Sequence, residues 1–307
     1  MFDVRSYRKA ASVGQALTLL AADPEARPMA GGTNALFKLR RGSEAFRSLV
    51  DIAGLPELPG IALDPDGGLR IGAGVTFREL AASPLVAEKA RCLAEAALAM
   101  GGPQLRARAT LGGNLCGGGH CAACRRCRYP RCPAAMVGAD GPAPLLALDA
   151  RAEIAGRAGK RLVPLGQFWT APSRTAVARD ELLLGVVIPA ASLGAPGSGY
   201  VKYAMRAAMD TATFGCAALC RLDGGRIAGL RLACVMAGPT PRRLPKAEAV
   251  APGRLPDAAT FAAMAAAAAG EAAPRADWQG DVDFRLHIIR RQIEALLAAV
   301  ARRAEDA

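Results

Sequence analysis

The chain has 307 residues, of which 52% are hydrophobic and 21% are charged. A chain of this length buries about 75% of its unfolded surface, so it needs no disulfide or metal to hold it together. No apolar stretch approaches the roughly 18 residues that span a bilayer, and the N-terminus lacks the apolar core of a secretion signal. We therefore expect a soluble, cytoplasmic protein with no membrane insertion, although export together with a signal-bearing partner would leave the same sequence.

Basic residues outnumber acidic residues by 39 to 27, which gives a net charge of +12. Such an excess suits nucleic acid, an acidic partner subunit or an anionic cofactor. Because the basic residues are scattered and no nucleic-acid motif accompanies them, we expect no nucleic-acid partner. The only two histidines, His120 and His287, argue against a His-rich metal site or a Ser-His-Asp hydrolase.

The first predicted elements surround a pair of glycines. Ser12-x-x-Gln15 is a capping box, so a short helix should run to Leu20. A strand then ends at Met29, and a helix capped by Thr33 or Asn34 follows Gly31 and Gly32 and stops at Gly42. Such a turn lets backbone N–H groups approach a phosphate, although a plain tight turn is the alternative.

A second glycine pair follows two strands and a helix. The strands form a hairpin around residues 66–68, and the helix runs from Pro84 to Met100, where Gly101 and Gly102 end it. Gly112 and Gly113 then form a second glycine turn directly before a cysteine-rich loop. Two turns suited to phosphate thus precede that loop.

The cysteine-rich loop spans residues 116–132 and holds five of the nine cysteines. An odd number at short intervals is a poor disulfide framework, so the loop indicates a thiolate metal site. Cys121, Cys124, Cys127 and Cys132 form C-x2-C-x2-C-x4-C, a spacing typical of iron–sulfur proteins, whereas zinc sites more often use two widely separated cysteine pairs. The spacing favours an iron–sulfur cluster, with structural zinc or free thiols as alternatives.

The surroundings of these cysteines agree with a cluster. Gly117, Gly118 and Gly119 permit sharp backbone turns, and four arginines within the loop would lower thiol pKa values and offset the cluster's negative charge. The remaining cysteines lie in apolar segments, which predicts small buried hydrophobic residues. They are Cys92, Cys216, Cys220 and Cys234.

Beyond the loop the pattern changes from mixed elements to a second unit. Residues 144–156 and 161–165 suggest paired strands, and residues 181–189 a further strand. Residues 190–199 are rich in glycine, alanine and proline, which predicts a linker. A long hairpin around residues 223–225 and helices over 256–270 and 281–303 follow. The order predicts an α+β fold with a smaller second domain of sheet and helices.

Three of these segments together resemble a known family. The segments are A-G-G-T-N at 30–34, A-T-L-G-G-N-L at 109–115 and D-G-P-A-P-L-L-A-L-D-A at 140–150. They are similar to the FAD-binding subunits of the molybdenum hydroxylases, the xanthine dehydrogenase and carbon monoxide dehydrogenase family. The likeness also covers residues 202–210 and 283–293. It implies a two-subdomain FAD-binding domain of the PCMH type at 1–192, followed by a C-terminal domain at 198–305.

The resemblance also implies FAD-binding residues by matching positions. The FAD pyrophosphate would be held by Ala30, Gly31, Gly32, Thr33 and Asn34, and by Thr110, Gly112, Gly113 and Asn114. Thr76 would lie nearby and Asp140 beside the ribityl chain. Lys202, Arg206 and Asp210 would lie beside the isoalloxazine ring. No catalytic acid or base is expected on this chain.

Within the family, the flavin subunits of 4-hydroxybenzoyl-CoA reductase and of aldehyde oxidoreductases carry an extra [4Fe–4S] cluster, and the chain resembles these most. Their N-L-C-x4-C opening is present here from Asn114 to Cys121. Carried over, it implies Cys121 as the first ligand, followed by Cys124, Cys127 and Cys132, with Cys116 free. The relatives spread their last three ligands through a longer insertion, so those ligands and the number of irons stay open.

The resemblance implies an oxidoreductase subunit that transfers electrons between FAD, iron–sulfur centres and an external partner. A flavin exchanges one or two electrons at a time, whereas an iron–sulfur centre exchanges only one. A flavin beside such a centre therefore converts between two-electron and one-electron transfer. The implied partners are a molybdopterin-binding large subunit and a [2Fe–2S] small subunit in a heterotrimer that can double. Two alternatives are a stand-alone FAD oxidoreductase with a structural zinc loop, and a basic nucleic-acid-binding module with a zinc knuckle.

Overall fold

The computed structural model describes residues 3–40, 46–117, 136–172 and 174–306, together with the backbone of residues 119–120. The chain begins with a parallel three-stranded sheet in the order β1-β3-β2. Its elements are β1 Ser6–Lys9, α1 Val13–Ala22, β2 Ala26–Met29, α2 Ala35–Arg40 and β3 Ser48–Asp51. The predicted helix after Ser12 is confirmed, since the Ser12 hydroxyl accepts a hydrogen bond from Gln15 N.

A second, antiparallel sheet has the order β4-β5-β12-β8-β9. Its strands are β4 Ile61–Leu63, β5 Leu69–Gly72, β8 Arg151–Gly156, β9 Gly159–Pro164 and β12 Leu182–Ile188. The helices around it are α3 Phe77–Ala82, α4 Pro84–Lys89, α5 Arg91–Ala99, α6 Pro103–Arg106, α7 Leu111–Gly117 and α8 Pro142–Ala147. Short ribbons pair β6 Gly119–His120 with β7 Met136–Val137, and β10 Trp169–Ala171 with β11 Arg174–Thr175.

Three predictions in this region are wrong in detail. The helix over 84–100 is two helices, because the chain turns at Ala90 (φ −141°, ψ 53°) so that Val86 and Leu93 both become fully buried. Gly112 and Gly113 lie inside the first turn of α7 rather than in a turn before it. Residues 142–147 are helical because Pro142 occupies the first helical turn, where its fixed φ is favourable; only the strand from Arg151 onward is confirmed.

The C-terminal unit is an antiparallel sheet in the order β13-β14-β15-β16 with helices on one face. Its elements are β13 Gly197–Tyr203, β14 Phe214–Asp223, β15 Arg226–Val235, β16 Arg242–Arg243, α9 Pro245–Glu248, α10 Ala258–Glu271 and α11 Val282–Glu305. The predicted hairpin is confirmed, with Gly224 and Gly225 at φ +54° and +73°, as the favoured tight turn requires. The two predicted terminal helices are confirmed as well.

The strands β14 and β15 bury both faces. Ala217 and Leu219 belong to a hydrophobic core shared with the first two sheets, whereas Cys216 and Ala218 belong to a core shared with α10 and α11. The alternation follows from the two-residue period of a strand. As predicted, Cys92, Cys216, Cys220 and Cys234 are buried.

The predicted linker over 190–199 is wrong in its second half. Gly197, Ser198 and Gly199 are buried in β13. A Cβ on Gly197 would lie 2.3 Å from the Cys220 carbonyl oxygen and 2.8 Å from the Val300 carbonyl oxygen. These glycines therefore allow α11 to approach the sheet closely, a role that composition does not distinguish from flexibility. Within the described residues, no helix is both long and apolar enough to cross a bilayer.

Candidate functional site

One large cavity of about 1480 Å³ lies between the glycine-rich segments and the C-terminal unit. Small-molecule sites usually occupy about 300–1,000 Å³, so this cavity has room for a dinucleotide. Eleven of the fourteen residues predicted to bind FAD line it. They are Ala30, Gly31, Gly32, Thr33, Asn34, Thr110, Gly112, Gly113, Asn114, Asp140 and Asp210.

The first glycine segment follows β2 and lies directly against the backbone before α7. A Cβ on Gly31 would meet the Arg108 carbonyl oxygen at 1.7 Å, so only glycine fits there. Gly32 has φ +74°, a conformation that other residues rarely adopt. The two glycines thus bend the chain from the end of β2 into the wall of the cavity.

The amides after this bend are available to a ligand. Among the described residues, the N–H groups of Gly32, Thr33, Asn34 and Ala35 have no hydrogen-bond partner, whereas Leu36 N and Lys38 N already donate within α2. A run of unpaired backbone donors at a cavity wall is an anion-binding arrangement. The first glycine turn therefore offers what a pyrophosphate needs.

The second glycine segment differs from the expectation of a phosphate-binding turn. Leu111 N donates to Val75 O at 2.8 Å, and Gly112 N donates to Ala73 O at 2.9 Å. Gly113 N donates to the Thr110 hydroxyl at 3.1 Å. Because the protein already satisfies these amides, the segment contributes the cavity's surface and its close packing, with a Cβ on Gly112 falling 2.8 Å from Ala73 Cβ.

Two asparagines connect α7 to its neighbours. The Asn34 side-chain nitrogen donates to Gly117 O at 3.4 Å, which joins the first glycine segment to the end of α7. The Asn114 side-chain oxygen accepts from Gly141 N at 3.1 Å, which fixes the segment that carries Asp140. Both side chains therefore hold cavity walls together.

Asp140 is only 4% exposed and carries a buried charge in the cavity wall. Its two oxygens accept from Tyr200 Oη at 2.8 Å and from Lys202 Nζ at 3.1 Å. Burial raises the pKa of Asp140, while the Lys202 ammonium and the Tyr200 hydroxyl oppose that rise. Burial raises the pKa of Tyr200 well above its usual value, and the Asp140 charge adds to this.

Tyr200 is a residue that the sequence reasoning missed. It precedes Lys202 by two positions on β13, so both side chains point to the same face of the strand. The alternating pattern of residues 198–203 is the signal that would have paired Tyr200 with Lys202.

A smaller cavity of about 310 Å³ adjoins the large one, and Met209 and Asp210 line both. Lys202 and Arg206 line the smaller cavity, so the structure brings them near Asp210 but outside the main cavity wall. The Asp210 carboxylate accepts from Arg206 N at 3.0 Å and pairs with its guanidinium at 3.3 Å. Arg206 nevertheless remains largely exposed.

Thr76 is absent from the linings of both cavities. Its hydroxyl and backbone form a capping box with Glu79 at the start of α3, and it forms a β-bridge with Thr110. The structure thus gives Thr76 a supporting position behind the second glycine segment.

The predicted metal ligands Cys121, Cys124, Cys127 and Cys132 lie outside the described residues. Cys116, predicted to be free, is exposed and lines the large cavity. No group of three or more His, Cys, Asp or Glu side chains is placed to hold a metal ion in the part of the chain that the structure describes.

An α+β chain with a glycine-walled cavity of dinucleotide size defines a nucleotide-cofactor-binding protein. Residues 2–191 match the family model for the FAD binding domain in molybdopterin dehydrogenase, and residues 199–300 match that for the CO dehydrogenase flavoprotein C-terminal domain. The chain belongs to the FAD-binding medium subunits of the molybdenum hydroxylase family, which includes those of xanthine dehydrogenase and carbon monoxide dehydrogenase. Its fold and its class as an oxidoreductase flavin subunit agree with the expectation from sequence.

Individual relatives match over almost their whole length. The putative xanthine dehydrogenase FAD-binding subunit of Escherichia coli K12 is 39% identical, over 97% of this chain and 96% of the relative. A solved structure of carbon monoxide dehydrogenase from Hydrogenophaga pseudoflava has a chain with a TM-score of 0.88 and 30% identity, covering 99% of each chain. A chain of quinoline 2-oxidoreductase from Pseudomonas putida 86 has a TM-score of 0.87 and 29% identity, again covering 99% of each.

Proposed function

We propose that this chain relays electrons between FAD and iron–sulfur centres within a complex that contains a molybdopterin-binding large subunit and a [2Fe–2S] small subunit. The observation that carries the proposal is the run of unpaired amides from Gly32 to Ala35 in the wall of a dinucleotide-sized cavity. Neutral backbone donors at a cavity wall suit the binding of an anionic redox cofactor such as FAD.

The residues present fit FAD. The amides after Gly31 would bind its pyrophosphate, with the wall formed by Ala30, Thr110, Gly112, Gly113 and Asn114 and supported by Thr76. Asp140 would lie beside the ribityl chain, and Lys202, Arg206 and Asp210 at the isoalloxazine end. When bound, FAD supplies one- and two-electron transfer. The chain's own residues orient it and set the charge around it.

The cysteine-rich loop would hold a [4Fe–4S] cluster on Cys121, Cys124, Cys127 and Cys132. Four thiolates in C-x2-C-x2-C-x4-C spacing are a cluster-binding donor set. The ends of the loop support its placement near the flavin, because the backbones of β6 and β7 pair and Gly117 and Gly138 line the large cavity. A one-electron carrier in this loop would exchange electrons with the flavin.

The assembly rests on the relatives. The matching chains are a medium chain of carbon monoxide dehydrogenase and an FAD-binding subunit of xanthine dehydrogenase, both named as parts of larger enzymes. We propose the same role here, in a heterotrimer that can double, with a FAD-binding unit at 1–192 and a C-terminal unit at 198–305. Because the matched enzymes act on different substrates, substrate choice belongs to the large subunit.

The test is the amount of FAD, iron, zinc and acid-labile sulfide in the anaerobically purified full chain, together with its visible spectrum. About four irons and four sulfides per flavin are expected for a single [4Fe–4S] cluster. The variant Cys124→Ser should lose iron and sulfide but keep FAD, whereas Cys116→Ser should keep all three.

Other compositions would overturn parts of the proposal. Flavin with stoichiometric zinc and no sulfide would support a stand-alone FAD oxidoreductase with a structural zinc loop. A colourless protein that does not take up added FAD and is retained on nucleic acid in a salt-dependent manner would contradict the flavin function altogether.

A further inference from the structure

Asp140 joins the two halves of the molecule through a buried triad with Tyr200 and Lys202. Asp140 precedes α8 in the N-terminal part of the chain, whereas its two partners lie on β13. The side chains of Lys202 and Asp140 are 10% and 6% exposed. An ion pair buried to this degree persists because its remaining polar atoms are satisfied, and here each Asp140 oxygen has one donor.

The partners of Asp140 are themselves held in place. Lys202 Nζ also donates to Ala99 O at 3.1 Å. The backbone N–H of Tyr200 donates to Glu95 Oε2 at 2.8 Å, and Glu95 pairs with Arg303 of α11 at 3.0 Å. Two hydrogen bonds thus join β13 to Asp140, and two more join the same strand to α5.

Asp140 faces one cation and one neutral hydrogen-bond donor. Lys202 is the cation that faces Asp140, and Tyr200 is the neutral donor that faces it. The Tyr200 hydroxyl lies beside Gly215 of β14, whereas the buried thiols of Cys216 and Cys234, whose sulfur atoms lie 3.3 Å apart, belong to the opposite face of the sheet. With Asp140 ionised and Lys202 protonated, the triad has no net charge. It therefore offers no compensation for a negative charge that develops in the cavity.

We propose that Asp140 takes up one proton when FAD in the large cavity is reduced, and that Tyr200 is the positioning residue that sets the pH of this uptake. The proposal rests on the proposed FAD site. Reduction of bound FAD by two electrons, supplied in a titration by a chemical reductant such as dithionite, would bring one proton to the flavin, and a second proton from solvent would form an O–H bond on the Asp140 carboxylate. The triad then has a net charge of +1 beside the negative flavin.

Burial and charge favour this uptake. The low polarity around Asp140 already raises its pKa, and a new negative charge nearby raises a carboxyl pKa further. Tyr200 opposes the uptake, since its hydrogen bond favours the carboxylate.

The experiment is a redox titration of flavin bound to the full chain at a series of pH values, read from the flavin absorbance. The slope of the midpoint potential against pH gives the number of protons taken up per electron pair. The wild-type slope should change from two protons to one at a defined pH. Tyr200→Phe should move that change upward by about half to one pH unit, the worth of one hydrogen bond.

Two further variants make the test specific. Asp140→Asn combined with Lys202→Met removes both charges together, which avoids leaving a buried lysine unpaired. In this double variant, the change of slope from two protons to one should be lost. Tyr7→Phe is the matched control, because Tyr7 also donates to an aspartate, Asp51, but at an exposed position outside the linings of both cavities. It should leave the slope unchanged.

The outcomes separate the inference from the function beneath it. If the slope of the midpoint potential still changes at the same pH in the double variant, the proton belongs to the flavin itself, and the role of Asp140 is overturned. An unchanged step in Tyr200→Phe would overturn its positioning role. A wild-type chain that holds no FAD would instead contradict the proposed function.

Discussion

The backbone of Gly31 lies so close to that of Arg108 that a Cβ on Gly31 would fall 1.7 Å from the Arg108 carbonyl oxygen. The contact joins the turn after β2 to the chain that leads into α7. It therefore determines how the two glycine segments face each other across the cavity. The glycine is needed for contact between two stretches of backbone, and the amides that follow it are left for the ligand.

Gly31→Ala should weaken FAD binding about tenfold or more, because forcing an extra methyl group into a packed contact costs about 1–3 kcal/mol and 1.4 kcal/mol is a tenfold change. Titration of the apoprotein with FAD measures the dissociation constant. The control is Gly166→Ala, since nothing lies within 4 Å of a Cβ at Gly166. An affinity for Gly31→Ala equal to that of the control would show that the contact does not shape the site.

Gly197→Ala should destabilise the protein by about 1–3 kcal/mol, because its Cβ would overlap backbone oxygens of both β14 and α11. Urea unfolding measures the effect. Gly270→Ala in α10 is the matched control, since its Cβ would meet open space, and alanine in a helix should be neutral or stabilising by about 0.5–1 kcal/mol. Equal midpoints for the two variants would contradict the packing role.

The role of Gly197 could not be predicted from the local sequence. Local signals located most elements correctly, such as the cap at Ser12 and the tight turn at Gly224, because these depend on neighbouring residues. Residues 190–199 were predicted as a linker because the reason for Gly197 is a helix about 100 positions later. The break at Ala90 has the same cause, since packing of Val86 and Leu93 overrides helix propensity.

For the site, the family resemblance brought together eleven of the residues that line the cavity, but it did not distinguish the roles of the two glycine segments. Whether a backbone amide is available to a ligand depends on the acceptors that the fold places beside it. The carbonyl oxygens of Ala73 and Val75 already accept hydrogen bonds from the first amides of α7. Tyr200 was missed for a related reason, because its partner Asp140 is 60 positions away.

Arg285→Met should destabilise the C-terminal unit by about 3–5 kcal/mol, the usual cost of leaving one member of a buried ion pair unpaired. Arg285 is 1% exposed, pairs with Asp277 at 2.5 Å and donates to Thr213 O at 2.7 Å. Chemical unfolding followed by fluorescence measures the loss. Arg291→Met, which breaks the exposed pair with Glu294, should cost less than about 1 kcal/mol. Similar losses of unfolding free energy in the two variants would contradict a larger contribution from the buried pair.

Asp257 should make the stability of α10 depend on pH in the acid range. Its carboxylate caps the helix by accepting from Thr260 N at 2.8 Å, and this backbone hydrogen bond is the main cause of its lowered pKa. A carboxyl whose pKa is lower in the folded state stabilises the fold above its unfolded pKa of about 3.9, and that contribution is lost as the pH falls through the folded value. Asp257→Asn keeps an oxygen acceptor but cannot ionise.

The difference in unfolding free energy between wild type and Asp257→Asn should therefore be largest above pH 5 and shrink on acidification. Urea unfolding monitored by circular dichroism at several pH values measures this difference. Asp180→Asn, at an exposed turn position, serves as the control and should show a smaller dependence. A difference for Asp257→Asn that stays constant or grows as the pH falls would show that the ionised cap is not the stabilising form.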